Sequence, residues 1–115
     1  MIERPKVLLS ASTYSERNGA IGAVSDAIKA VGGWIDDVNF FSNISVALRF
    51  FLKPSKGNEF SDLLKKIDVR LNPAEFAHLL SLSEVYRDKE VLCSLNITFV
   101  RDERDLRQHI PSVPG

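Results

Sequence analysis

Two segments of this chain alternate apolar and polar residues at period two over a full strand length. In residues 45–53, Val46, Leu48, Phe50 and Leu52 fall on one side and Ser45, Ala47, Arg49, Phe51 and Lys53 on the other. In residues 90–100, Val91, Cys93, Leu95, Ile97 and Phe99 alternate with Leu92, Ser94, Asn96, Thr98 and Val100. Successive strand residues point to opposite faces of a sheet, so each segment lays one apolar face on a core. Elsewhere the apolar period is helical: Ile21, Val24, Ile28 and Val31 recur at three- and four-residue steps, with Ala20 and Ala27 in the same stripe. A chain carrying both periods is an α+β protein.

The remaining elements are placed by their punctuation. Lys6–Thr13, after Pro5, has the composition of a first strand. Tyr14–Gly19 is polar, ends in Asn-Gly, and is expected to be a loop leading into a helix over Ala20–Val31. Gly32 and Gly33 stop that helix. Trp34–Phe41 and Ser45–Lys53 are expected to form a hairpin with Phe40 opposite Val46, Val38 opposite Leu48, and Asp37 opposite and ion-paired with Arg49. A bulge near Asp36 and Asp37 would turn Ile35 to the core face; without it Ile35 lies on the other face, and the register stays open between the two. Phe60, Leu63, Leu64 and Ile67 mark a second helix with Asn58 as N-cap. Asn72-Pro73-Ala74-Glu75 opens a third, with asparagine capping, proline at the first helical position and Glu75 placed for a capping box.

The order strand, helix, two strands, helical region, strand predicts a ferredoxin-like βαββαβ sandwich. Its four-stranded sheet is expected to be antiparallel, with the first and last strands in the middle, helices on one face and an extra helix before the last strand. Residues 1–100 form this domain. Residues 101–115, a charge run followed by a proline-containing segment, form a C-terminal tail.

Lys and Arg together number 15, as do Asp and Glu, so the chain has no net charge. Nucleic-acid binders draw most of their affinity from phosphate neutralisation, and this balance argues against that class. Phe50 and Phe51 invite comparison with base-stacking sheets, but Phe50 continues the core stripe and no RNA-recognition motif surrounds it. The one cysteine, Cys93, excludes an internal disulfide and reads as a buried structural thiol. No stretch approaches the roughly 20 apolar residues of a membrane span, and the first residues lack the apolar core of a signal peptide, so a cytoplasmic protein is expected.

From Ser15 to Leu52 the sequence resembles an ACT domain. The matching residues are Glu16-Arg17-Asn18-Gly19, then Ile21, Val24 and Ile28, then Val31-Gly32-Gly33-Trp34-Ile35. Arg49-Phe50-Phe51-Leu52 is similar to the ACT segment of formyltetrahydrofolate deformylases, whose hydrolase domain this chain has no room for. The resemblance implies a regulatory module that associates side by side and holds small ligands at the interface. Asn18 replaces the family's loop proline and Trp34 its asparagine, which implies that the indole blocks the usual amino-acid pocket.

Catalytic constellations are sparse. His78 and His109 have no ligand-spaced partners, Ser10, Ser12 and Ser15 lie in no nucleophile elbow, and adjacent Asp36 and Asp37 should face opposite sides of a strand. Arg17 suggests an acylphosphatase-like phosphate loop, but the companion asparagine and glycine loop are missing. No catalytic residue, metal or cofactor is therefore expected, and the chain is read as a binding module rather than an enzyme. Arg17, Asn18, Gly19, Trp34 and Asp36 are the candidate ligand contacts, for a small anionic or amino-acid-like molecule at a helix N-terminus. Ile35, Phe41, Ala47 and Phe51 are the candidate homodimer interface, too apolar for a solvated sheet face. The alternative is a protein–protein interaction module without a ligand.

Overall fold

A computed structural model gives the fold and describes residues 5–100. The tail expected at 101–115, with His109, lies outside the described residues. The elements are β1 (Lys6–Thr13), α1 (Arg17–Ala30), β2 (Trp34–Ser42), β3 (Ser45–Leu52), a 3-10 turn (Pro54–Lys56), α2 (Gly57–Lys66), β4 (Val69–Leu71), α3 (Pro73–Ser81), α4 (Ser83–Tyr86) and β5 (Val91–Phe99). The fold is α+β.

One sheet face and two helices make the core. Val7, Leu9 and Ala11 of β1, Val46, Leu48, Phe50 and Leu52 of β3, and Val91, Cys93, Leu95 and Ile97 of β5 are buried together. Against them pack Ala20, Val24, Ala27 and Ile28 of α1 and Phe60 and Leu64 of α2, with Leu79 of α3 closing one side. Both period-two segments and the α1 stripe therefore do what their spacing predicts.

The sheet itself differs from the expected one. It has five strands in the order β2-β3-β5-β1-β4, and it is mixed: β5 runs parallel to β1 and antiparallel to β3. The four-stranded antiparallel expectation fails for two reasons. The last strand lies in the middle beside β1 as expected but runs parallel to it, and β4 adds a fifth strand at the margin, antiparallel to β1 over Ala11–Thr13. Three residues are too few for alternation to announce a strand. The chain enters β4 through Asp68, whose φ of 60° lies in the left-handed region that Asp tolerates better than most residues.

Because β4 covers only part of β1, the edge from Lys6 to Ser10 needs another partner. α3 provides it. The Glu75 carboxylate accepts the Ser10 N–H at 2.6 Å and the Ser10 hydroxyl at 3.3 Å, while the Asn72 N–H donates to the Ser10 carbonyl at 2.9 Å. Asn72 caps α3 as expected, accepting from the Ala74 and Glu75 N–H groups. Glu75, however, reaches across to the sheet instead of back to the cap. The Asn58 cap is also corrected: Pro54–Lys56 already turn, and α2 starts at Gly57.

The hairpin register is as expected, with Phe40 opposite Val46, Val38 opposite Leu48 and Asp37 opposite Arg49. A register shift between Ile35 and Asp37 places Ile35 opposite Phe50, on the core side, where it packs against the buried cluster. Ile35 thereby leaves the face on which an interface role was expected.

Candidate functional site

α1 and α2 occupy one side of the sheet, and the strand registers list what lies on the other. Trp34, Phe51, Leu92 and Lys6 form one row across β2, β3, β5 and β1; Asp37, Arg49, Ser94 and Leu8 form the next. Asn39, Ala47, Asn96 and Ser10 follow, and the last row, reaching β4, is Ser45, Thr98, Ser12 and Arg70. The face grades from aromatic and apolar at one end, through charge, to amides and hydroxyls.

At the aromatic end the Trp34 and Phe51 rings stack, centroids 4.4 Å apart and planes 23° from parallel. The Trp34 indole N–H donates to Glu90 at 3.3 Å, which fixes the ring's heading. Trp34 nevertheless remains 49% exposed and Leu8 61% exposed. Next to them Arg49 pairs with Asp36 at 2.7 Å. The expected partner was Asp37, which sits opposite Arg49; the bulge instead brings Asp36 round to the guanidinium, and Asp37 accepts from the Asn39 amide at 3.0 Å. Adjacent aspartates thus share a side, contrary to the alternation of a regular strand. The Arg49 Nε is buried and has no hydrogen-bond partner among the described residues. Of the other expected interface residues, Ala47 lies on this face but is 6% exposed, and Phe41, at a second irregularity in β2, is 66% exposed.

The start of α1 is organised differently from the expected ligand loop. Asn18 and Gly19 belong to the first helical turn, and Glu16 is the N-cap. Its carboxylate accepts the Asn18 N–H at 2.8 Å and the Gly19 N–H at 2.9 Å. The backbone donors that would receive an anion are held by the chain's own carboxylate. Arg17 lies over the Phe40 ring at 5.0 Å. The five candidate ligand residues also divide into two groups within one chain. Arg17, Asn18 and Gly19 are at the start of α1, and Trp34 follows its far end, about 21 Å away at 1.5 Å per helical residue.

The Asn18 and then the Gly19 N–H bonds hold the Glu16 carboxyl below its ordinary value of 4.5, with Arg17 adding a smaller effect in the same direction. A depressed folded-state pKa gives stability that is present above pH 4.5 and lost as pH falls through the folded value. Glu16→Gln keeps an acceptor at the cap but removes this titration. Thermal melts of the variant should show a flatter decline than the native protein on the acid side of pH 4.5, and identical slopes would refute the role given to Glu16.

Cys93 is fully buried, and burial pushes its thiol up to about 12, so it stays protonated and unreactive. Among the described residues no group of three or more His, Cys, Asp or Glu side chains could hold a metal ion, and no helix is long and apolar enough to cross a membrane. His78 is exposed on α3, beside a shallow recess that it shares with Lys6, Leu8 and Glu75. No family model, curated protein or solved structure matches this chain.

Proposed function

We propose that this chain is a small regulatory or binding module that works as a homodimer, two copies meeting through the helix-free sheet face. The observation that carries the reading is the stacked Trp34–Phe51 pair on a face that no helix covers. Water-exposed aromatic surface of this kind favours a partner. Several features favour a second copy. Arg49, Asp36 and Asp37 stand side by side, so a two-fold-related copy meets charges of both signs, and the zero net charge adds no long-range repulsion. The free edge of β2 is the weaker route, because two irregularities interrupt its ladder.

The ACT-like reading rests on the loop-and-helix sequence and on a frame in which β2, β3, β1 and β4, with β5 set aside, keep the ferredoxin-like strand order. Within that reading Trp34 and Asp36 serve assembly. A ligand at Arg17, Asn18 and Gly19 would first have to displace the Glu16 carboxylate.

Phe51→Asp puts a charge under the Trp34 ring and leaves Phe50 in the core. A buried phenyl ring contributes roughly 1.5–3 kcal/mol, so dimer dissociation should strengthen by about tenfold or more. Sedimentation equilibrium measures it. Trp34 is the one tryptophan, so its emission should move to the blue as the native protein associates. A native protein that stays monomeric at about 50 µM overturns the proposal.

A further inference from the structure

Between α2, β4 and α3 lies a half-open cavity of about 420 Å³, within the size range of small-molecule sites. It differs in composition from the aromatic end of the sheet face: Val69, Leu71 and Phe76 give it apolar walls, and Ser61, Lys65, Asp68 and Arg70 bring the polar groups. Two of those groups are placed to donate to a ligand. Ser61 is 7% exposed and lines the cavity, which its hydroxyl can reach. A hydroxyl opening on a cavity can bond a ligand atom or water there. Lys65 is one turn further along the same face of α2, at the i+4 position, and makes no ion pair among the described residues. Asp68 contributes no surplus negative charge, because Arg70 faces it at 3.6 Å.

We infer that this cavity binds a small monocarboxylate with an apolar body. The carboxylate accepts from the Ser61 hydroxyl and the Lys65 ammonium, and the body packs against Val69, Leu71 and Phe76. Two donors on consecutive turns suit an acceptor with two oxygens. A neutral apolar molecule would leave Lys65 without a counter-charge, and a dianion would exceed it, since Arg70 is paired with Asp68. The inference does not depend on the pairing of copies: of the cavity lining only Arg70 reaches that sheet face, at its polar end away from Trp34 and Phe51.

The probes are 4-phenylbutyrate and its uncharged analogue 4-phenylbutanamide, titrated into the full-length protein labelled with nitrogen-15. Saturable binding of the carboxylate is expected, with amide shifts centred on Val69, Leu71 and Phe76. The amide should bind about tenfold more weakly, and added salt should narrow that preference. Lys65→Ala removes an exposed side chain and should abolish the preference without altering the fold. Ser61→Ala should weaken the carboxylate about threefold or more while the melting temperature holds or rises. No saturation by about 10 mM, shifts centred elsewhere, or an undiminished preference in Lys65→Ala would each overturn the inference.

Discussion

Phe50→Ala is expected to lower the unfolding free energy by about 3–5 kcal/mol, the cost usual for removing a fully buried phenyl ring. Phe50 is 0% exposed and sits on β3 between Ile35 of β2 and Cys93 of β5. Its ring meets that of Phe60 at 5.5 Å, tilted by 56°, so it joins the sheet to α2 as well. Alanine would leave a cavity with sheet below and helix above, and neither can collapse without breaking a ladder. Against a total stability of about 5–15 kcal/mol, such a loss brings the protein near its unfolding threshold at moderate temperature. Guanidinium titrations should show a lower midpoint with an unchanged slope. A loss below about 1 kcal/mol would mean that Phe50 is not the centre of this core.

Gly33→Ala should cost about 2–3 kcal/mol, because a Cβ there would meet the Phe51 carbonyl oxygen at 2.6 Å and the Ile28 side chain at 3.0 Å. The oxygen is backbone of β3, held between Trp34 of β2 and Leu92 of β5, and cannot step aside. The end of α1 would have to lift from the β2–β3 pair. Gly32 is the control. Its N–H bonds the Lys29 carbonyl while the Gly33 N–H bonds that of Ile28, the pattern of a left-handed helix termination, and its φ is 82°. A Cβ at Gly32 meets nothing within 4 Å, so Gly32→Ala carries only the conformational cost, about 1 kcal/mol. Thermal and guanidinium unfolding of both variants separate close approach from backbone handedness, and equal losses would contradict the distinction.

Much of the hairpin and core was legible because both depend on side-chain period. Val46 through Leu52 and Val91 through Phe99 can satisfy only one face assignment, and the Asn72-Pro73 start uses local chemistry that tertiary packing left intact. What escaped depends on partners distant in sequence. The crossovers put residues 91–99 in the middle of the sheet, but nothing in their alternation says that they run parallel to β1, since central strands of either direction carry the same stripe. β4 was too short to show a period, and Glu75 was placed for a local bond that Ser10 then claimed. The loop reading of Asn18-Gly19 failed because Glu16, a residue not marked as a cap, supplied the oxygens that let the helix begin at Arg17. Of the cavity residues, Ser61 and Lys65 carry no motif. Their i,i+4 spacing becomes informative only once β4 is known to lie beneath them.

The central position of β5 governs how this sheet can be assembled in time. β1, α1, β2 and β3 are synthesised first, yet β5 must enter between β1 and β3, so that Lys6 pairs with Leu92 and Val46 with Ile97. Contacts of such long sequence separation close late. Until the ribosome has delivered residues 91–99, the nascent chain holds two unsatisfied apolar strands, antiparallel to each other, with an empty lane between them. Direct closure of β3 onto β1 would bury those edges early and exclude β5. Direct β1–β3 pairing is thus the alternative that the order of synthesis allows, and insertion of β5 beside β1 is the pairing of greatest sequence separation in the sheet.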